Sequence, residues 1–308
     1  MLYVATLIAP PGSDVLTREH VHAVKQLLPG AKRPHWLSRG EAVDIPFWPQ
    51  VAALFPGSTE PEFIRRHTEL VRAVMYDLPV DCIIQRNDRY RRKSLFIADM
   101  DSTMIGQECI DELAAHVGKK DHVAAITERA MRGEIAFEPA LRERVAVLKG
   151  LPASVVDEVI AQSITLTPGG RTLIATMKAQ GAYTALVSGG FTLFTQVIAG
   201  MLGFDHDCAN TLLLEGAALS GHVQEPILGK QAKLDALVKL RDARHLNPRA
   251  TLAVGDGAND LAMLDAAGLG VAYHAKPAVA AAAQARIDHA DLTALLFAQG
   301  YKRAEFIS

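Results

Sequence analysis

Three short apolar runs in this chain each end abruptly in small or acidic polar residues. Residues 95–98 lead into Asp99-Met100-Asp101-Ser102-Thr103, residues 183–187 into Ser188-Gly189-Gly190, and residues 251–254 into Gly255-Asp256-Gly257-Ala258-Asn259-Asp260. Runs that are apolar on both faces read as strands of a parallel sheet covered on both sides. Stretches of helical spacing lie between them, which implies right-handed crossovers. The three polar ends then fall along one edge of the sheet, where open α/β sheets bind ligands. Taken alone, Asp99-Met100-Asp101 is equally readable as a turn and a helix start. Three such ends on one chain favour a site.

The helical stretches are unevenly distributed. Helices are expected at about 107–116, 120–132, 138–148 and 153–162 with no strand between them, which makes a helical cap at about 105–165, inserted directly after the first strand. Beyond it come a helix at 170–180, the second strand, and a helix at 191–202. Short antiparallel strands are expected within 209–223, turning near Gly221. A helix at 229–244, the third strand, a helix at 261–267, a late strand at 270–273 and an alanine-rich helix at 277–285 follow. Ahead of all this, residues 1–88 show strands near 3–9, 36–38, 42–45 and 80–85 and helices near 17–28 and 60–75. That βαββαβ order suggests a small ACT-like α+β domain. The segment 86–93 carries five Arg or Lys residues and reads as a solvated linker into a second domain, 89–308. The fold class is α/β, a Rossmann-like parallel sheet with a helical cap plus the small α+β domain.

The 308 residues carry a formal net charge of −2, so there is no general electrostatic case for nucleic acid or a membrane surface as partner. Cys82, Cys109 and Cys208 stand far apart, which argues against a disulfide framework or a zinc site and fits a reducing compartment. Cys109 reads as a small apolar filler. No apolar stretch is long enough to span a membrane, and the start of the chain reads as a strand and not a leader. A cytoplasmic protein is expected.

The residue types at the three ends suit phosphate chemistry. Asp99 and Asp256 are hard oxygen donors suited to one Mg²⁺. Either Asp99 or Asp101 could attack phosphorus, the other then moving the proton. Ser188 and the amides of Gly189 and Gly190 could cradle a phosphate. A lysine is expected nearby, and Lys230 and Lys233 both qualify.

The segments Asp99-Met-Asp-Ser-Thr103, Val187-Ser-Gly-Gly190, Ala232-Lys-Leu-Asp-Ala-Leu237 and Gly255-Asp-Gly-Ala-Asn-Asp260 together resemble the four motifs of the haloacid dehalogenase superfamily. Within it, Glu108, Met131-Arg-Gly-Glu134, Phe137 and Leu141-Arg-Glu-Arg-Val145 resemble the phosphoserine phosphatase family, as does Val271-Ala-Tyr-His-Ala-Lys-Pro277. The resemblance covers about 94–300. It implies Asp99 as nucleophile and Asp101 as general acid/base. Asp99, the Asp101 carbonyl and Asp256 would hold Mg²⁺, with Asp260 orienting that set. Ser188, Gly189 and Lys233 would bind phosphate, with Asn259 close by. Glu108 would hold a substrate ammonium and Arg144 its carboxylate, while Met131 and Phe137 would close the pocket. The implied reaction is hydrolysis of O-phospho-L-serine in L-serine biosynthesis. Alternatives are another small ester such as phosphohomoserine, or an amino-acid sensor with a regulated phosphatase core. A homodimer is compatible with the chain.

Overall fold

The structure, a computed structural model, describes residues 1–49, 59–131 and 134–308, the Met131 side chain excepted. Among these, strands β1 (Tyr3–Ile8), β2 (His35–Ser38), β3 (Ala42–Phe47) and β4 (Asp81–Arg86) form an antiparallel sheet in the order β2-β3-β1-β4. β5 (Leu95–Ala98), β6 (Tyr183–Phe191), β7 (His206–Asn210), β10 (Thr251–Gly255), β11 (Leu269–Tyr273) and β12 (Ala285–Ile287) form a parallel sheet in the order β12-β11-β10-β5-β6-β7. β8 (Leu212–Glu215) and β9 (Ala218–Val223) make a separate hairpin.

The central strand β5 shows why the apolar runs read as they do. Alternate residues of a strand face opposite sides. Leu95 and Ile97 pack with Ala185, Ala253 and Leu237 on one face. Phe96 and Ala98 pack with Leu186, Leu252 and Val254 on the other. The chain order reverses across β5, between its neighbours β6 and β10, so the ligand-binding switch point lies at its carboxyl end.

Helices Cys109–His116, Lys120–Met131, Phe137–Ala146 and Val155–Gln162 form the cap. Two connecting segments tie it to the core through the bridge Ile105–Leu166 and a paired contact in which Gln107 Nε2 donates to Thr165 Oγ1 and Thr165 N donates to Gln107 Oε1. A second seam joins the cap to the hairpin. Gly150 N donates to Leu219 O, Leu219 N to Leu151 O, and Ala153 N to Ala217 O. The hairpin turns at Gly216, φ +64°, and not near Gly221 as the sequence suggests. Gly221 instead lies within β9, where a Cβ would come 2.9 Å from Lys149 Cβ of the cap seam. The glycine there serves close approach.

The amino-terminal sheet is covered on both faces. Tyr3, Ala5 and Leu7 pack against helices Arg18–Leu27 and Glu60–Val74, whereas Ile8, Ala42 and Ile83 join the main core cluster. This arrangement corrects the reading of 86–93 as a solvated linker. Arg91 is buried, with Nη1 and Nη2 each 2.7 Å from an Asp44 oxygen, and it also donates to Thr6 Oγ1 and the Ala298 carbonyl. Lys93 is buried as well and donates to the Arg249 carbonyl. The Asp81 carboxylate accepts the N–H groups of Asp288, His289 and Ala290. Polar groups at the junction are thus paired across it. Toward the carboxyl end, the alanine-rich helix is shorter than expected, Pro277–Ala282. The chain then enters β12, which the composition of 277–285 hides. Among the described residues no helix is long and apolar enough to cross a membrane.

Candidate active site

Strand registers bring the three polar ends together. β5 pairs Ala98 with Leu186 of β6 and with Val254 of β10. Asp99, Ser188 and Asp256 therefore begin within two residues of one line across the sheet. Asp99 keeps the parity of Leu95 and Ile97, toward the helix Lys230–Ala243. Lys233 precedes Leu237 of that face by four residues, so it points the same way. Its Nζ lies 2.6 Å from Asp99 Oδ1 and 2.6 Å from Asp260 Oδ1, all three side chains being buried.

Further contacts fix the carboxylates. Asp99 Oδ1 accepts from Met100 N at 2.7 Å, and Asp260 Oδ2 from Gly257 N at 3.0 Å. Asp256 Oδ1 accepts from Thr103 Oγ1 at 3.2 Å. The two oxygens of Asp101 face different partners. Oδ1 accepts from Cys109 N at the start of the first cap helix, and Oδ2 from Ser188 Oγ at 3.4 Å. Cys109 is indeed buried, and its backbone carries the polar contact.

Asp99, Asp256 and Asp260 each place a carboxylate oxygen within 4.8 Å of the others. Asp101 adds no carboxylate to this group. The expected metal set therefore gains Asp260 as a neighbour of equal reach, although one of its oxygens already meets Lys233. Counting Asp101, four carboxylates gather where Lys233 is the ammonium paired directly with two of them. Such an excess of hard oxygen charge fits a divalent cation such as Mg²⁺.

Electrostatics follow from burial. Desolvation, reinforced by Asp260, pushes the Asp99 carboxyl up against the opposing pull of Lys233. Desolvation raises Asp101 and, with Asp260, carries Asp256 to about 6. Glu108 rises to about 7, from burial and then from the charge of Asp101. Burial works against the Lys233 charge, but Asp260 and Asp99 outweigh it and hold the ammonium above the ordinary lysine range.

Above the carboxylates a cavity of about 970 Å³ runs between core and cap. Asp99, Asp101 and Asp256 border it below, with Ser188, Gly189 and Asn259 beside them, and Glu108, Phe137 and Arg144 border it from the cap. Lys233 does not reach the cavity wall and acts on Asp99 from behind, whereas Lys230 does border it. Arg144 is buried, with Nε donating to the Ala140 carbonyl and Nη1 to Thr127 Oγ1 at 3.1 Å. Ser102 stands at φ +54°, and its hydroxyl donates to Glu108 Oε1 at 2.8 Å. Met131, the remaining expected pocket residue, has its side chain outside the described residues. Sequence reasoning passes over Thr127 and Ser102. A hydroxyl facing a charged neighbour carries no spacing signal of its own. Lys276, from the late-strand segment, also borders the cavity.

The arrangement can bind an anion over a carboxylate nucleophile and supply a proton-carrying carboxylate beside it. At the cap end it offers the Arg144 guanidinium and the carboxylates of Glu108 and Glu138.

Comparison with known proteins agrees with this geometry. The haloacid dehalogenase-like hydrolase profile matches residues 96–265. A phosphoserine phosphatase of Streptomyces coelicolor is 45% identical over 229 residues, covering 74% of this chain and 56% of its own length. This chain thus spans about half the length of that relative. A solved haloacid dehalogenase family hydrolase of Salmonella enterica serovar Typhi superposes with a TM-score of 0.81 at 27% identity, covering 98% of this chain and 99% of its own. A structure described as a phospho-aspartyl intermediate analogue of phosphoserine phosphatase superposes with a TM-score of 0.63 at 39% identity, covering 67% of this chain and 98% of its own.

Proposed function

The chain belongs to the haloacid dehalogenase-like hydrolase family, and within it we propose that it hydrolyses O-phospho-L-serine to L-serine and phosphate through an aspartyl-phosphate. The observation that carries this reading is that one cavity joins the Asp99 carboxylate cluster to Glu108 and Arg144. A phosphate ester lying across it would present phosphorus at one end and an amino-acid ammonium and carboxylate at the other. The relatives named as phosphoserine phosphatases support the same choice.

An oxygen of Asp99 forms the bond to phosphorus while the bond from phosphorus to the serine oxygen breaks. Asp101, whose burial favours its protonated form, gives its proton to that oxygen. In the second half, Asp101 takes a proton from water, the water oxygen bonds to phosphorus, and the Asp99–phosphorus bond breaks. Ser188, the Gly189 amide and Asn259 bind the phosphoryl oxygens. Lys233 neutralises Asp99 from behind. Asp99, Asp256 and the Asp101 carbonyl would hold Mg²⁺, with Asp260 next to them; when bound, the ion would neutralise charge shared by carboxylates and phosphate. Arg144 suits the substrate carboxylate because its guanidinium can donate two parallel bonds. Glu108 takes the ammonium, and that cation would also favour its ionised form. Removal of the phosphate from phosphoserine makes this a step of L-serine biosynthesis. Phosphate release from phosphoserine with and without Mg²⁺ tests the proposal: no Mg²⁺-dependent release would refute it.

A further inference from the structure

Asn210, the last residue of edge strand β7, is buried and its side-chain amide is fully engaged. Nδ2 donates to the Gly189 carbonyl at 2.8 Å and to the Leu228 carbonyl at 3.2 Å, and Oδ1 accepts from Leu228 N at 2.7 Å. The reason for a side-chain clamp lies in the sheet. Pairing of β6 with β7 shifts register between Val187 and Phe191, so the regular ladder is interrupted at Ser188-Gly189-Gly190. Asn210 supplies a bond that the interrupted ladder does not.

The two segments it joins face the same cap side chain. A Cβ on Gly189 would lie 3.3 Å from Phe137 Cζ, and a Cβ on Gly229 would lie 3.3 Å from Phe137 Cδ1. The Phe137 ring therefore rests in a notch between two glycines, one on the Ser188 loop and one at the start of the helix that carries Lys233. Asn210 bonds both walls, at Gly189 and at Leu228.

We propose that Asn210 is a positioning residue that sets the width of the notch receiving Phe137, and thereby governs how firmly the cap closes on the site. The kinetic part of this inference rests on the phosphoserine reading above. The exchange part does not.

The test is a double-mutant cycle on the full chain with phosphoserine. Asn210→Asp keeps the shape but cannot donate to either carbonyl. It is expected to lower kcat/KM about tenfold or more, and about threefold or less when Phe137→Ala is already present. Hydrogen exchange of amides in Phe137–Ala146 is expected to quicken in Asn210→Asp. Gly229→Ala retains the clamp and narrows the notch, so it keeps the test alive if Asn210→Asp does not fold. Its cap amides should also exchange faster. Equal effects of Asn210→Asp with and without Phe137→Ala would overturn the proposal, since Asn210 would then act on the Ser188 loop alone. Unchanged cap exchange in Gly229→Ala would overturn it too. Failure of the wild-type chain to hydrolyse phosphoserine would strike the function instead, leaving the exchange result to decide the notch.

Discussion

Lys233 Nζ stands 2.6 Å from Asp99 Oδ1, and of this pair Asp99 borders the cavity. The pair separates two acids that look equivalent in sequence. Asp99 has a buried cation behind it, whereas Asp101 is held by a backbone N–H and a serine hydroxyl. The cation opposes the burial that raises the Asp99 carboxyl, and the second environment leaves Asp101 with donors that a proton carrier can keep.

Asp99→Asn should abolish phosphate release, because an amide oxygen is a far weaker nucleophile, and should also abolish any trappable phospho-enzyme. Asp101→Asn should slow release yet still allow the phospho-enzyme to accumulate with an activated ester whose leaving group needs no proton. Acid-quench trapping of labelled protein distinguishes the two, and substantial turnover in Asp99→Asn would remove the assignment.

Arg144→Ala should raise KM for phosphoserine by about 10²-fold, as expected when a charged hydrogen-bonded pair is lost. It should affect an aryl phosphate much less. Thr127→Val removes the hydroxyl that accepts from Arg144 Nη1 while keeping the side-chain shape. It should raise the same KM by roughly five- to tenfold, and Thr127→Ser should restore it. Equal losses on both substrates would count against a recognition role for Arg144.

Removing divalent cations should stop turnover, and re-adding Mg²⁺ should lower the thermal strain on the cluster in a pH-dependent way. Without metal, Asp256 titrates near 6 against 3.8 for the ordinary group. Between these values the folded state holds a proton that the unfolded chain has released. Its stabilising contribution is therefore present at low pH and lost as pH rises through about 6. Mg²⁺ competes with that proton, so the gain in Tm from Mg²⁺ should be larger at about pH 7.5 than at about pH 5. A gain independent of pH in thermal melts would contradict the account.

Arg91→Met leaves Asp44 buried without its partner and should cost about 3–5 kcal/mol in urea denaturation. Adding Asp44→Leu should recover part of the loss. Recovery stays incomplete because the buried Thr6 hydroxyl, which donates to Asp44 Oδ1 and accepts from Arg91, then loses both partners. A single-variant loss under about 1 kcal/mol, the range of surface pairs, would show that the junction is wetter than described.

These particulars show what a single sequence reveals. β5, β6 and β10 were legible because burial on both faces demands unbroken apolar runs, and their polar ends were conspicuous against them. The four cap helices were legible from spacing. Arg91 and Lys93 were misread because a charged residue looks solvated until its partner is known, and Asp44 is 47 positions away and Ala298 is 207. β12 was hidden because Ala285 extends an alanine tract that favours helix, and pairing with β11 overrides that preference. Asn210 and Thr127 are single polar residues within otherwise unremarkable segments, so only distances single them out.

The seam between 150–153 and 217–219 bears on how such enzymes can be recombined. The cap looks like one insert with two joints, at about 105 and 165. Yet Leu212, Leu219 and Val223 of the hairpin share a cluster with Leu148 and Leu151 of the cap. A chimera built at those two joints alone would strip β9 of its hydrogen-bonded neighbour and bare Leu219, leaving an open edge prone to self-association. The exchangeable part is discontinuous in sequence: a foreign cap would have to travel with its own version of 212–223.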